Sequence, residues 1–194
     1  MKQALHILLL FGVIAVQIAA PAWLIQDHER LLEEGTAYAF KTALVDPADP
    51  FRGRYVVFEL ALMREALPVD EADDAALRDA ARGDPVYLEL TRGEDGAGGI
   101  TRVSATPPEG DYLRAELREY DSDGRLAQVR YPRQRYYVPE DVAPEAERLF
   151  MAPPEGQTPE VTLRVEGRRQ IIEQITIGGT PLTQYIREGA GPAS

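Results

Sequence analysis

Chemistry in this chain begins with a short run of carboxylates and an arginine: Asp46, Asp49 and Arg52, with Gly53 directly after. Two Asp-Pro steps, at Asp46-Pro47 and Asp49-Pro50, set them apart. Aspartate oxygens accept backbone N–H bonds, and a guanidinium pairs with a carboxylate through two parallel bonds. Such a cluster can bind an anion or a protein partner. It can equally lock a turn, with proline fixing φ and Gly53 adopting a conformation other residues avoid. A second group follows downstream: Tyr131, Arg133, Arg135, Tyr136 and Tyr137. Tyrosine and arginine are favoured at interface centres. In a strand, alternation would bury one aromatic set and expose the other. Tyr55, Tyr131, Arg135 and Tyr137 therefore join Asp46, Asp49, Arg52 and Gly53 as candidate binding residues.

Catalytic machinery is sparse. Both histidines, His6 and His28, lie in or beside the N-terminal apolar run, so the rest of the chain has no histidine base. There is no cysteine, which excludes disulfides, thiolate catalysis and zinc-thiolate sites. The serines are Ser104, Ser122 and Ser194, and the lysines are Lys2 and Lys41. Asp121-Ser122-Asp123-Gly124 starts like a calcium loop but lacks the closing glutamate, so a hairpin turn is expected there. No metal ion and no cofactor is expected, and no enzyme activity.

Residues 5–25, LHILLLFGVIAVQIAAPAWLI, contain no Asp, Glu, Lys or Arg. As a helix they span roughly 30 Å, the thickness of a bilayer's hydrocarbon core. A cleaved signal peptide would need small residues before the cut. Ile18-Ala19-Ala20 followed by Pro21 is a poor site, so a retained anchor is expected. Lys2 and the terminal amine precede the span, which favours N-in, with the domain outside the cytoplasm. Gln17 lies mid-span, where an amide prefers a partner helix. Formal net charge is −11, with 32 acidic against 21 basic residues. That argues against nucleic acid as a partner.

The expected order is a cytoplasmic tail (1–4), a transmembrane anchor (5–25), a juxtamembrane helix (26–35), a β-rich extracytoplasmic domain (36–188) and a disordered tail (189–194). Patterning predicts strands at 36–42, 55–63, 86–91, 100–105, 112–120, 126–131, 135–138, 160–166 and 169–177. Helices are predicted at 71–82 and 139–150. The fold class is mainly β with two or three short helices (α+β), an antiparallel sandwich or partly open barrel behind one N-terminal transmembrane helix.

Two blocks carry a resemblance. The first runs from Val45-Asp46-Pro47 through Arg52-Gly53-Arg54-Tyr55-Val56-Val57-Phe58; the second is YPRQRYYVPE, from Tyr131 to Glu140. In this order, behind an anchor, they resemble the GDYXXLXY family of membrane-anchored bacterial proteins. Arg54 stands where that family has Asp, Phe58 where it has Leu, and Leu60 where it has the last Tyr. The literal Gly110-Asp111-Tyr112 lies in a different segment. The resemblance implies a small extracytoplasmic domain, often encoded beside multi-pass membrane proteins, and implies no reaction. The expected location is the inner (cytoplasmic) membrane. The expected role is an accessory domain that contacts an integral membrane protein through Gln17 and the 46–54 loop. Two alternatives stand beside it. One is a hydrolase of signal-peptidase shape, because type I signal peptidases place a similar Arg-Gly-x-x-Val-Val-Phe strand behind an anchor. The other is a structural envelope protein.

Overall fold

The computed structural model describes residues 2–44 and 55–189. Asp46, Asp49, Arg52 and Gly53 lie outside the described residues. Helix α1 runs unbroken over Lys2–Glu34 with Pro21 inside it. Every residue from 10 to 26 is exposed. The segments expected as anchor (5–25) and juxtamembrane helix (26–35) thus fall on one helix that ends at Glu34. Pro21 has no N–H, so the helical bond to the Gln17 carbonyl is missing. The Gln17 side-chain amide and backbone carbonyl therefore both sit mid-span with hydrogen-bonding capacity to spare.

A single residue, Gly35, separates α1 from strand β1 (Thr36–Leu44). Gly35 is buried, and its N–H donates to the Leu31 carbonyl at 3.0 Å. A Cβ there would lie 2.5 Å from the Leu31 oxygen, so only glycine fits. Leu31 is buried in turn.

Strand β2 is Tyr55–Leu60, followed by a 3-10 turn at Ala61–Arg64 and strand β3 at Leu67–Pro68. The predicted strand 55–63 thus ends early. Val56, Phe58 and Leu60 alternate into the core, but Ala-Leu-Met-Arg favours a helical turn. Helix α2 is Glu71–Asp79. It stops three residues before the predicted end because Ala80 is extended and Asp84 accepts the Ala81 N–H at 2.8 Å. Then come β4 (Pro85–Arg92), β5 (Gly98–Ser104), β6 (Tyr112–Asp121), β7 (Leu126–Arg130) and β8 (Gln134–Tyr137). Helix α3 is Ala143–Met151; residues 139–142 form a turn in which Val142 and Ala143 both donate to the Pro139 carbonyl. Strands β9 (Glu160–Glu166), β10 (Arg169–Ile177) and β11 (Thr180–Pro181) precede helix α4 (Leu182–Gly189). Neither β3, β11 nor α4 was predicted. The α4 signal was present, since Leu182, Tyr185 and Ile186 share one helical face.

The named strands pair antiparallel in two sheets, ordered β11-β10-β9-β1-β2-β8 and β3-β7-β6-β4-β5. The mainly β, α+β class is therefore as expected. Alternation supplies the core: Val86, Leu88 and Leu90 from β4, Leu113, Ala115 and Leu117 from β6, and Val161, Leu163 and Val165 from β9. The sheets meet where the Phe40 ring lies against Gly98, whose added Cβ would sit 2.4 Å from Cε1. Beside it the Ala39 N–H donates to the Gly96 carbonyl at 3.1 Å.

Candidate functional site

Register brings three of the sequence candidates together. Tyr55 pairs with Tyr137 and Val57 with Arg135 across β2 and β8. The Tyr55 and Tyr137 rings meet edge to face at 5.9 Å. The Arg135 guanidinium lies over the Tyr55 ring, 5.2 Å from its centroid. Such contacts contribute about 0.5–1.5 kcal/mol each at partly exposed sites. Tyr137 is nonetheless 70% exposed, and Arg135 is exposed too. This is an ordered aromatic and cationic surface with little role in the core.

The free edge of β8 faces a groove of about 420 Å³. Gln134, Arg135, Tyr136 and Tyr137 form one wall, and Ile171 and Ile172 of β10 lie opposite. Burial pushes the Tyr136 hydroxyl above its ordinary range.

Tyr131 goes elsewhere. It is 5% exposed and belongs to the core. Its hydroxyl donates to Gln170 Oε1 at 2.9 Å, bridging the β7–β8 link to β10. Burial pushes its pKa to about 12. Tyr131 continues the inward alternation of β7 after Ala127 and Val129, whereas Tyr137 is on the outward face of β8, so one is a structural residue and the other a surface residue.

The four candidates of the 46–54 segment are outside the described residues, but its flanks are fixed. Leu44 pairs with Phe58, and Tyr55 with Tyr137. β1 starts just after Gly35, with Thr36 opposite Val165 and Lys41 opposite Glu160. The sheet curves, so that β8 comes back to share a groove with residues 170–172 of β10. The aromatic surface thus lies across that groove from residues 170–172 of β10, whose Gln170 pairs with Val165, the partner of Thr36.

Sequence reasoning missed residues that organise the head. Asp111 Oδ2 accepts from the Tyr38 hydroxyl at 2.9 Å, and Oδ1 accepts from the Gly167 N–H at 2.7 Å. One carboxylate thus ties β1, the approach to β6 and the β9–β10 turn. Burial, then the Asp111 bond, raises the Tyr38 pKa to about 12. The acids around the start of α2 act likewise: Asp73 accepts from Ser104 Oγ and the Ala105 N–H, and Asp74 from the Tyr120 hydroxyl. Asp121 accepts the Asp123 N–H at 3.0 Å, as a hairpin turn requires. Among the described residues no group of three His, Asp or Glu is placed to hold a metal.

An exposed apolar helix spliced by one residue to an antiparallel β head defines the class: a single N-terminal apolar helix carrying one β-rich domain. The family model described as GDYXXLXY protein matches residues 17–173, and the chain belongs to that family. No curated protein and no solved structure matches it.

Proposed function

We propose that this protein is a membrane-tethered accessory domain. In this reading α1 stays in the cytoplasmic membrane with its N terminus inside. The head stands outside the cytoplasm and engages an integral membrane protein. The observation that carries the reading is the helix itself: apolar and wholly exposed from residue 10 to 26, yet continuous with the head. At the centre of a span, each Leu, Ile, Val and Phe favours lipid by about 0.3–0.6 kcal/mol. Gln17, with its spare amide and carbonyl, gives a neighbouring helix something to bond. The Tyr55, Arg135 and Tyr137 surface supplies the second contact.

The proposal assigns no reaction. Ser104 is buried and donates to Asp73, Ser122 sits in the β6–β7 turn, and Lys41 is on the exposed face of β1.

The absence of cysteine makes the test clean. A single cysteine at Asp123, on the head, should react with a membrane-impermeant maleimide in intact cells, and one at Gln3 only after lysis. A photoreactive residue at position 17 and another at position 137 should cross-link the same integral membrane protein. A mature chain lacking the helix, a head labelled only after lysis, or no cross-linked membrane protein from either position would overturn the reading.

A further inference from the structure

The outer face of the second sheet carries a larger cleft, about 750 Å³, within the size range of small-ligand sites. Its floor is β6 and β7; its walls are the 3-10 turn after β2 and residues 131–133. Arg64, Arg118, Arg130 and Arg133 line it, together with Glu59, Glu65 and Glu116. The lining is net positive in a chain of formal charge −11.

Arg64, Arg130 and Arg133 are engaged. Arg130 is bonded to its cross-strand partner Glu116, and Arg133 Nε lies 3.4 Å from Glu59. Arg118 differs. The β6–β7 register shifts between Leu117 and Glu119, so Arg118 is the extra residue of a β-bulge. The bulge breaks alternation and leaves residues 118 and 119 both exposed. Bulges re-aim side chains and recur beside functional sites. Among the described residues Arg118 makes no ion pair, although the chain holds 32 acidic residues. A concave, positive lining concentrates anions, and a guanidinium fork matches the oxygens of carboxylate or phosphate.

We propose that this cleft binds a soluble ligand bearing two or more oxyanion groups, carboxylate or phosphate, with Arg118 as its principal contact. Arg118 stands six residues along β6 from Tyr112, whose N–H bonds to the Gly167 carbonyl near the helix junction. That is roughly 20 Å of strand, which favours a ligand from solution over a lipid headgroup. The proposal is independent of the tether.

Citrate and tripolyphosphate, titrated calorimetrically into the detergent-solubilised full chain at low and high salt, test it. At least one should bind saturably, 1:1, and more weakly at high salt. Tighter citrate assigns carboxylate; tighter tripolyphosphate assigns phosphate. Arg118→Gln should weaken binding at least tenfold, whereas Arg114→Gln, on the same strand outside the cleft, should change it less than twofold. Phenylglyoxal modification of wild-type Arg118 should be slowed by the same ligand, with Arg114 unaffected; this reads the site even if a variant misfolds. No saturable binding, equal loss in both variants, or equal protection of both arginines would overturn the proposal.

Discussion

The Arg169 guanidinium lies 2.6 Å from the Asp27 carboxylate and donates to the Asp27 backbone carbonyl at 3.1 Å. It thereby holds the tip of the β9–β10 hairpin against α1 only two residues past Ile25, the end of the apolar run. At 1.5 Å per residue, the grip is about 3 Å of helix from that end. Together with Gly35, it makes the helix and the head one mechanical unit rather than a domain on a leash.

Gly35→Ala should therefore destabilise the chain. The new Cβ would meet a backbone oxygen, Leu31 O, at 2.5 Å, and the Leu31 side chain at 3.1 Å. Either β1 or the last helical turn must shift, at a cost of about 1–3 kcal/mol. Denaturant unfolding of the full chain in detergent measures it.

Arg169→Ala should act on motion more than on stability. Both side chains of the pair are partly exposed, so the ion pair contributes about 0.2–1 kcal/mol. Spin labels on single cysteines at Glu29 and Glu166 should report a broader distance distribution in the variant while the melting temperature moves little. An unchanged distribution would show that Gly35 and Leu31 hold the junction unaided.

Asp111→Ala should cost more than its partial exposure implies. It leaves the hydroxyl of Tyr38, itself 6% exposed, and the Gly167 N–H without their acceptor. Hydrogen bonds to a carboxylate contribute about 1.5–3 kcal/mol. A double-mutant cycle with Tyr38→Phe should give a coupling energy of that order.

Alkali should unfold the head. The hydroxyls of Tyr38, Tyr120 and Tyr131 are raised to about 12, in each case chiefly by burial. Unfolded tyrosines ionise near pH 10. Between these values the unfolded chain binds fewer protons, so stability is complete below pH 10 and falls as pH rises through 12. The buried Tyr131 alone accounts for about 2–3 kcal/mol of that loss. Absorbance at 295 nm should show a late ionisation coincident with unfolding, and Tyr131→Phe should shrink it.

Tyr137→Ala should leave stability within about 0.5 kcal/mol of wild type, because the ring is exposed. Under the proposed tether, cross-linking from position 17 to an integral membrane protein should nonetheless fall. Loss of stability instead of partner contact would assign the aromatic surface to the fold.

Sequence alone determined what local forces govern. Twenty-one residues without Asp, Glu, Lys or Arg favour one long apolar helix, so α1 was legible from its length. Alternating Val56, Phe58 and Leu60, or Val161, Leu163 and Val165, commit a strand to one buried face. Gly167 and the Asp121–Gly124 turn close hairpins by backbone preference. Element ends were less legible: a capping contact such as Asp84 with Ala81 stops α2, and no hydrophobic period encodes it. Only the tertiary structure decided which polar residues meet. Asp111 lies 73 residues from Tyr38 and 56 from Gly167, so its role exists only after the sheets close. Arg118 looks like any other strand arginine until a one-residue slip against β7 turns it into a cleft. Tyr131 and Tyr137 have the same side chain six positions apart, yet Tyr131 continues the inward face of β7 while β8 turns Tyr137 to solvent. Hydrophobic period and turn chemistry act between near neighbours in the chain, whereas polar partnership and concavity arise between segments that chain order keeps apart.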